Sequence, residues 1–206
     1  YWQMGENHWN DVDVWPPSSV ETCWYLSSES GAAAMRNEGE LALEAPDQQG
    51  ADVFEYDPAD PTPTVGGKIL MPFIQLAGVY DQTSVEERSD VACYTSPVLT
   101  ESVVVSGPVK CSLWVSTSAQ DTDFTAKLVD VEPNGIAANL ADGIVRLSKA
   151  FPGQVNEPGA GLFDRLTDAR DLVCGQVIHD YGHSRFQFPR TFDILHPNSF
   201  FTTELV

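Results

Sequence analysis

The chain has 206 residues, 42% of them hydrophobic, which excludes a disordered polypeptide and allows one domain with a sizeable core. Its 30 acidic and 11 basic residues give a net charge of −19, which excludes binding of nucleic acid or of an anionic membrane through a basic patch. No apolar run reaches the roughly 18 residues of a membrane-spanning helix, so no partnership with a membrane is predicted.

The N-terminal half of the sequence predicts short strands joined by loops. Short or alternating apolar runs predict strands at 1–4, 22–26, 41–43 and 52–56. Small residues at 32–35 predict one helical turn. Prolines at 58, 61 and 63 remove backbone donors, so residues 57–67 are expected to form an extended crossing loop.

The middle of the chain predicts longer strands at 91–94, 103–105 and 109–116. In the last of these, Cys111, Leu113 and Val115 alternate with polar or large residues, so one face is expected to join the core. Two proline-containing breaks, at Pro97 and at Gly107-Pro108, separate these strands.

Residues 121–146 predict a hairpin followed by a further strand. An alternating run at 124–129 is followed by the turn residues Pro133-Asn134-Gly135 and by a returning apolar run at 136–140. Asp142-Gly143 predicts a second turn before the next strand. Frequent turns without a long helical period predict an all-β sandwich, with the jelly roll as its natural form.

The four cysteines, Cys23, Cys93, Cys111 and Cys174, are scattered and show neither a C-x-x-C pair nor zinc-finger spacing. All four are predicted to be free thiols, and Cys93 and Cys111 are predicted to be buried as small hydrophobes. This pattern implies no oxidising compartment, and the cytoplasm is slightly favoured as the location.

Two tryptophans in the N-terminal loop allow two interpretations. Trp9 and Trp15 lie among aspartates and prolines between residues 6 and 17. An aromatic face beside carboxylates is typical of carbohydrate binding, whereas the same rings could instead anchor a long loop against the sheet. Anchoring is the favoured interpretation, and exposed tryptophans would favour the carbohydrate hypothesis.

No catalytic or metal-binding constellation is predicted. Gly182-His183-Ser184 is the nearest approach to the G-x-S-x-G turn of α/β-hydrolases, but it lacks the closing glycine and runs into a strand. His179 and His183 have helical metal-ligand spacing in a context that argues against a helix. The acidic residues do not form a calcium loop. The sequence therefore predicts no catalytic residue, no metal and no cofactor.

Four segments resemble a known family in the right order. They are D-T-D-F-T-A-K-L-V-D-V…D-G-I-V-R at 121–146, M-G-x-x-x-W…W-P at 4–16, Y-D-P-A-D-P…G-G at 56–67, and D-Q…E-R-x-D-V-x-x-Y at 81–94. Together they resemble the C-terminal domain of the cocaine esterase / X-prolyl dipeptidyl-peptidase family of serine hydrolases. The resemblance covers about 1–148 and again about 172–189.

The resemblance implies a non-catalytic accessory domain that forms part of a longer polypeptide. In that family the Ser, His and Asp triad lies in a preceding α/β-hydrolase domain, and the β-sandwich packs on this domain and helps to wall its substrate pocket. The residues implied for the wall are Ile69, Leu70 and Met71, which could equally be ordinary strand core. The implied partners are the hydrolase domain and a second copy in a homo-oligomer. A free-standing carbohydrate-binding module is the alternative function, and a fragment without its own function is a third.

After Arg146 the resemblance weakens. Residues 151–171 contain none of the family's further motifs and are predicted to form a divergent loop, so the sandwich is expected to lack some strands. We therefore predict a single domain over 1–189, followed by a C-terminal tail at 190–206.

Overall fold

The computed structural model describes residues 1–29, 39–47, 51–68, 77–119 and 121–146, and beyond these it describes strand segments between 164 and 205. The predicted helical turn at 32–35 lies outside the described residues. The strands before residue 147 are β1 (Trp2–Gln3), β2 (His8–Trp9), β3 (Val20–Ser28), β4 (Gly39–Ala42), β5 (Ala51–Asp52), β6 (Val91–Thr95), β7 (Val103–Pro108), β8 (Lys110–Ser116), β9 (Asp123–Val131) and β10 (Ala137–Arg146). One short helix, α1 (Thr83–Glu86), occurs in the same part.

The part of the chain after Arg146 that the structure describes contains five strands, where the sequence predicts a loss of strands. They are β11 (Asp164–Thr167), β12 (Val173–Ile178), β13 (His183–Pro189), β14 (Asp193–Leu195) and β15 (Phe200–Leu205). β11 lies in the predicted divergent loop, and β14 and β15 lie in the predicted tail. β15 pairs with β3 along its length and with β8. Its aromatic and β-branched residues favour a strand, and the backbones of β3 and β8 supply its hydrogen-bond partners.

The strands form one continuous hydrogen-bonded path in the order β10-β9-β13-β6-β4-β3-β15-β8-β14-β5. β11 adds to β8, and β7 pairs with both β12 and β15, whereas β1 and β2 form a separate two-stranded sheet. The pairs are antiparallel except for β4 and β6, which run parallel. The prediction of an all-β fold is confirmed, and the jelly-roll arrangement stays a prediction.

The hairpin of β9 and β10 shows how local sequence sets the register. Gly135 adopts a φ of 89°, and the Asn134 side chain accepts a hydrogen bond from the Ile136 amide at 2.9 Å. The predicted second turn at Asp142-Gly143 is wrong, because β10 continues to Arg146 after a register shift between Asn139 and Ala141. Such a bulge absorbs one extra residue without ending the strand.

The core lies between faces of the sheet and is built from alternate strand residues. Its fully buried members include Leu26, Leu41, Tyr94 and Leu128, and Cys111, Leu113 and Val115 join it from β8 as predicted. Cys23, Cys93 and Cys111 are free thiols. Burial raises the pKa of the Cys111 thiol, which keeps this group protonated in the core. Across the described ranges, no helix is long and apolar enough to cross a membrane.

Candidate functional site

A pair of glycines joins the two chain segments that flank the predicted pocket-wall residues. The Gly67 amide donates to the Gly78 carbonyl at 2.8 Å, and the Gly78 amide donates back to the Gly67 carbonyl at 3.0 Å. Ile69, Leu70 and Met71 lie outside the described residues. The chain on either side of them is therefore held together by a pair of backbone hydrogen bonds. We call these two flanking segments, residues 65–68 and 77–80, the loop stem.

The loop stem requires glycine at two positions for steric reasons. Gly66 and Gly67 have φ values of 62° and 76°, in the region that side chains disfavour. A Cβ atom on Gly66 would lie 2.6 Å from the Gly78 carbonyl oxygen and 2.8 Å from the Tyr80 ring. A Cβ atom on Gly67 would meet the Asp142 carboxylate. The paired glycines of the sequence motif thus allow the close approach of two backbones.

Gln82 connects the loop stem to the sheet from a fully buried position. Its side-chain nitrogen donates to the carbonyl oxygens of Val65 at 3.0 Å and Tyr80 at 3.1 Å, one on each side of the loop. Its side-chain oxygen accepts a hydrogen bond from the Lys127 ammonium at 2.7 Å. One amide group therefore joins both arms of the loop stem to strand β9.

Lys127 places a buried positive charge beneath this loop stem. Burial lowers the pKa of Lys127 below its ordinary value, while the nearby carboxylates of Asp142 and Glu86 act to raise it. Glu86, at the end of α1, is itself buried. Because a buried charge needs opposite charge and hydrogen bonds, Lys127 and these carboxylates depend on each other for stability.

Asn139 fixes the second arm of the loop stem against β10. Its side-chain oxygen accepts a hydrogen bond from the Tyr80 amide at 2.7 Å, and its backbone amide donates to the Tyr80 carbonyl at 3.2 Å. The backbone amide of Gln82 donates a hydrogen bond to the Ala137 carbonyl at 2.7 Å. Residues 80–82 therefore extend the edge of the sheet beside β10, and this extension sets the direction of the loop stem.

A second polar cluster ties the proline-rich segment to the start of β6. The Arg88 guanidinium donates to the Asp90 carboxylate at 2.7 and 2.8 Å and to the Asp60 carbonyl at 2.8 Å. The Thr62 hydroxyl donates to Asp90 at 3.0 Å. Burial alone would raise the pKa of Asp90, but the hydrogen bonds from Arg88 and Thr62 hold it below its usual range. The cluster fixes the crossing loop that the prolines predict.

A third cluster surrounds the Asp52 carboxylate, which is fully buried. The hydroxyl groups of Ser28 and Tyr94 each donate a short hydrogen bond to it. Burial raises the pKa of Tyr94 well above its ordinary value, and the negative charge of Asp52 adds to this effect. Tyr94 therefore remains a hydrogen-bond donor to a buried carboxylate in the centre of the fold.

The hydrogen bonds of these three clusters hold chain segments in place and do not form a catalytic arrangement. Ser184, the nearest approach to a nucleophile in the sequence, lies within β13, where its backbone is in register with Asp130 of β9. An extended strand cannot provide the strand-to-helix turn that exposes such a serine. His183 begins the same strand, and His179 lies outside the described residues. Within the described ranges, no group of three His, Cys, Asp or Glu side chains could hold a metal ion.

An open groove of about 900 Å³ lies between β4 and residues 95–100. Its apolar lining includes Trp24, Leu41, Leu43, Val98 and Leu99, and its charged lining residues are Glu40 and Glu44. No motif in the sequence indicated this groove, because it forms where the short parallel pairing of β4 with β6 ends.

The tryptophans of the N-terminal loop pack on one another at the surface. The rings of Trp2 and Trp9 meet edge to face with centroids 5.6 Å apart, and those of Tyr1 and Trp15 meet at 5.0 Å. Trp9 is 73% exposed and Trp15 is 40% exposed, so the favoured interpretation that both are anchored against the sheet is wrong for Trp9 and stays a prediction for Trp15. Trp9 belongs to the small β1–β2 sheet, where it is in register with Trp2. Exposure was the condition under which the carbohydrate hypothesis would gain support.

Comparison with known proteins shows the family to which this chain belongs. Residues 1–175 match the model of the X-Pro dipeptidyl-peptidase C-terminal non-catalytic domain. The chain belongs to this family. This non-catalytic domain is 45% identical over 145 residues to the cocaine esterase of Rhodococcus sp. strain MB1 Bresler. That match covers 70% of the chain but only 25% of the esterase, so the domain spans about a quarter of this relative's length.

Solved structures share the fold of the non-catalytic domain. An aminopeptidase from the marine sediment archaeon Thaumarchaeota archaeon superposes with a TM-score of 0.79 at 19% identity, over 100% of this chain and 40% of the aminopeptidase. An α-amino acid ester hydrolase superposes with a TM-score of 0.70 at 21% identity, over 99% of this chain and 38% of that one. At these identities the likeness establishes the fold alone. The resemblance read from the motifs is confirmed, and these matches give the carbohydrate alternative no support.

The motif residues converge in space in a way that the sequence motifs alone did not indicate. Gly67, Gln82, Lys127 and Asp142 come from three separate motifs and meet around the loop stem. Sequence reasoning assigned them no role. The available signal was Lys127, a lysine between the apolar residues Ala126 and Leu128 of strand β9, which indicated a charge-bearing partner on that face of the sheet.

Proposed function

We propose that this domain is the accessory part of a serine hydrolase that cleaves esters or amides by acyl transfer. The observation that supports this most strongly is the 45% identity to cocaine esterase over most of the chain. In such a parent protein, a Ser nucleophile, a His base, an orienting Asp and an oxyanion hole would belong to an α/β-hydrolase domain. The present chain would pack on that domain as a non-catalytic partner.

The contribution of the present chain to the reaction would be to bind and orient substrate. We propose that Ile69, Leu70 and Met71 form part of the wall of the substrate pocket in the parent protein. Apolar side chains in a wall hold a substrate by removing apolar surface from water, at about 25 cal/mol per Å². Their position matters because a displacement of about 1 Å can slow a reaction about a hundredfold.

The loop stem supports this proposal physically. The chain segments that flank these wall residues are fixed by the Gly67–Gly78 bridge and by Gln82. Functional residues are often located on loops held in this way. The loop stem is therefore expected to act as a positioning element for the wall residues, without contacting the substrate.

Shortening the wall should weaken substrate binding in the parent protein. We expect Met71→Ala in the complete parent polypeptide to lower kcat/KM for a p-nitrophenyl acyl ester by about tenfold or more, mainly through KM, since one apolar contact contributes about 1–3 kcal/mol. Val53→Ala, which shortens a side chain exposed on the surface, is the matched control and should leave both constants unchanged. Equal kinetics for the two variants would show that Met71 does not line the pocket.

A further inference from the structure

We propose that the N-terminal aromatic patch, formed by Trp2, Trp9, Val12, Val14 and Trp15, is the surface by which this domain docks on the catalytic part of its own polypeptide. The inference rests on the proposed function, which supplies the partner, and it adds the location of the contact. The sequence motif M-G-x-x-x-W…W-P would then encode a domain interface.

The first argument is exposure. Trp9 is 73% exposed, Val14 is 71% exposed, and Trp2, Val12 and Trp15 are between 40% and 43% exposed. Large apolar side chains concentrated in one short segment form the kind of surface that soluble proteins cover with a partner. Tryptophan in particular is enriched among the residues that dominate binding energy at interfaces.

The second argument is that the patch is held in a defined conformation. The side chain of Gln3 accepts a hydrogen bond from Asn10 at 2.6 Å and donates one to Glu6 at 3.0 Å. The Asn10 amide donates to the Tyr1 carbonyl at 2.8 Å, and β1 pairs with β2. A surface ordered before binding loses little conformational entropy when it docks. Such order is expected of an interface and is unnecessary for a solvent-exposed loop.

The third argument is charge. Residues 1–35 contain no Lys or Arg, and the exposed carboxylates of Glu6, Asp11 and Asp13 lie in the same segment as the patch. The matching surface should therefore be apolar at its centre and basic at its edge. A second copy of this chain fits poorly, because each copy has a net charge of −19.

The fourth argument identifies the catalytic part as the occupant. The family is defined as a C-terminal domain, and the related esterase has four times the length of the matched segment, since the match covers 25% of it. In such a polypeptide this domain and the remaining part are joined covalently. A covalent connection raises the effective concentration of one part for the other, which favours this partner over any free molecule.

The test uses the complete parent polypeptide with Trp9→Ser, alone and together with Trp2→Ser. We expect the double variant to separate the domains, which would raise the radius of gyration measured by small-angle X-ray scattering and split one calorimetric unfolding transition into two. The value of kcat/KM for a p-nitrophenyl ester should fall at least tenfold. Ile144→Ser, which alters a 64% exposed side chain on β10, is the matched control and should change none of these quantities.

Three other results separate this inference from the proposed function. A parent protein that hydrolyses esters but keeps its radius, single transition and kinetics in the double variant would overturn the docking surface and leave the proposed function intact. A parent protein without ester hydrolysis, whose domains still separate in the double variant, would support the docking surface and contradict the proposed function. Binding of the wild-type parent to an immobilised polysaccharide, lost with Trp9→Ser, would overturn docking in favour of a carbohydrate site.

Discussion

Replacing Lys127 by methionine should destabilise the domain by about 3 kcal/mol, because the substitution leaves buried polar groups without their cation. The Gln82 side-chain oxygen loses its hydrogen bond from the ammonium, and the buried Glu86 loses a compensating charge. The change is measured as the free energy of unfolding in urea, followed by tryptophan fluorescence. Methionine keeps the length of the lysine side chain, so the loss reports charge and hydrogen bonding.

Two further variants make this expectation specific. Lys110→Met removes an exposed lysine from β8 and should change stability by less than about 0.5 kcal/mol. Adding Glu86→Gln to Lys127→Met should recover part of the loss, because it removes the carboxylate that the first substitution leaves uncompensated. If Lys127→Met proved as mild as Lys110→Met, the buried ammonium would not be holding the loop stem to the sheet.

Replacing Tyr94 by phenylalanine should cost about 2–3 kcal/mol at neutral pH, because a hydrogen bond to a buried carboxylate is lost. The Tyr94 hydroxyl donates to Asp52, and both groups are fully buried. Tyr80→Phe is the matched control, since its side chain is exposed and the same substitution there should cost less than about 0.5 kcal/mol. The free energy of unfolding in urea at pH 7.5 is the appropriate measure.

The same tyrosine should give a pH dependence with a definite sign. In the folded state the pKa of Tyr94 is raised above the ordinary value of 10.0, so the unfolded chain loses this proton first as the pH increases. The stabilisation from Tyr94 is therefore complete below about pH 10 and declines above it. The wild type should lose more stability than Tyr94→Phe between pH 9 and pH 11, a range that extends about one unit to either side of the tyrosine pKa in the unfolded chain. Parallel losses in the two proteins would contradict the buried Tyr94–Asp52 contact.

Much of the fold could be predicted from local pattern. The alternation in β8 predicted that Cys111, Leu113 and Val115 join the core, and turn chemistry placed the hairpin at Pro133-Asn134-Gly135. These features are local, because they depend on side-chain period and on backbone angles at single residues. The prediction of a turn at Asp142-Gly143 was wrong for the same reason, since the long pairing with β9 overrides a local turn preference.

Features that depend on distant pairing were beyond such reasoning. β15 lies between β3 and β8, both of which are distant from it in sequence, and no local signal in residues 200–205 names those partners. The loop stem is similar, because Gly67, Gln82 and Lys127 meet only after the sheet has formed. These residues belong to the sequence motifs, and the structure shows that they contact one another around the loop stem.

The location of Trp9 was predicted wrongly for a physical reason. Large aromatic rings are usually buried, so anchoring of Trp9 and Trp15 against the sheet was the natural expectation. In the structure the Trp9 ring packs edge to face on Trp2 within the two-stranded sheet of β1 and β2, and it remains 73% exposed. Exposed apolar surface of this kind is explained by a partner, which the proposed docking surface provides.

Hydrolysis of a p-nitrophenyl acyl ester tests the central claim most directly. The purified 206-residue chain and the complete parent polypeptide are assayed side by side under the same conditions. The account predicts hydrolysis by the parent polypeptide and none above background by the chain alone, because the proposed Ser, His and Asp triad would belong to the α/β-hydrolase domain of the parent. Hydrolysis by the chain alone that disappears with Ser184→Ala would contradict the account and identify Ser184 as a nucleophile.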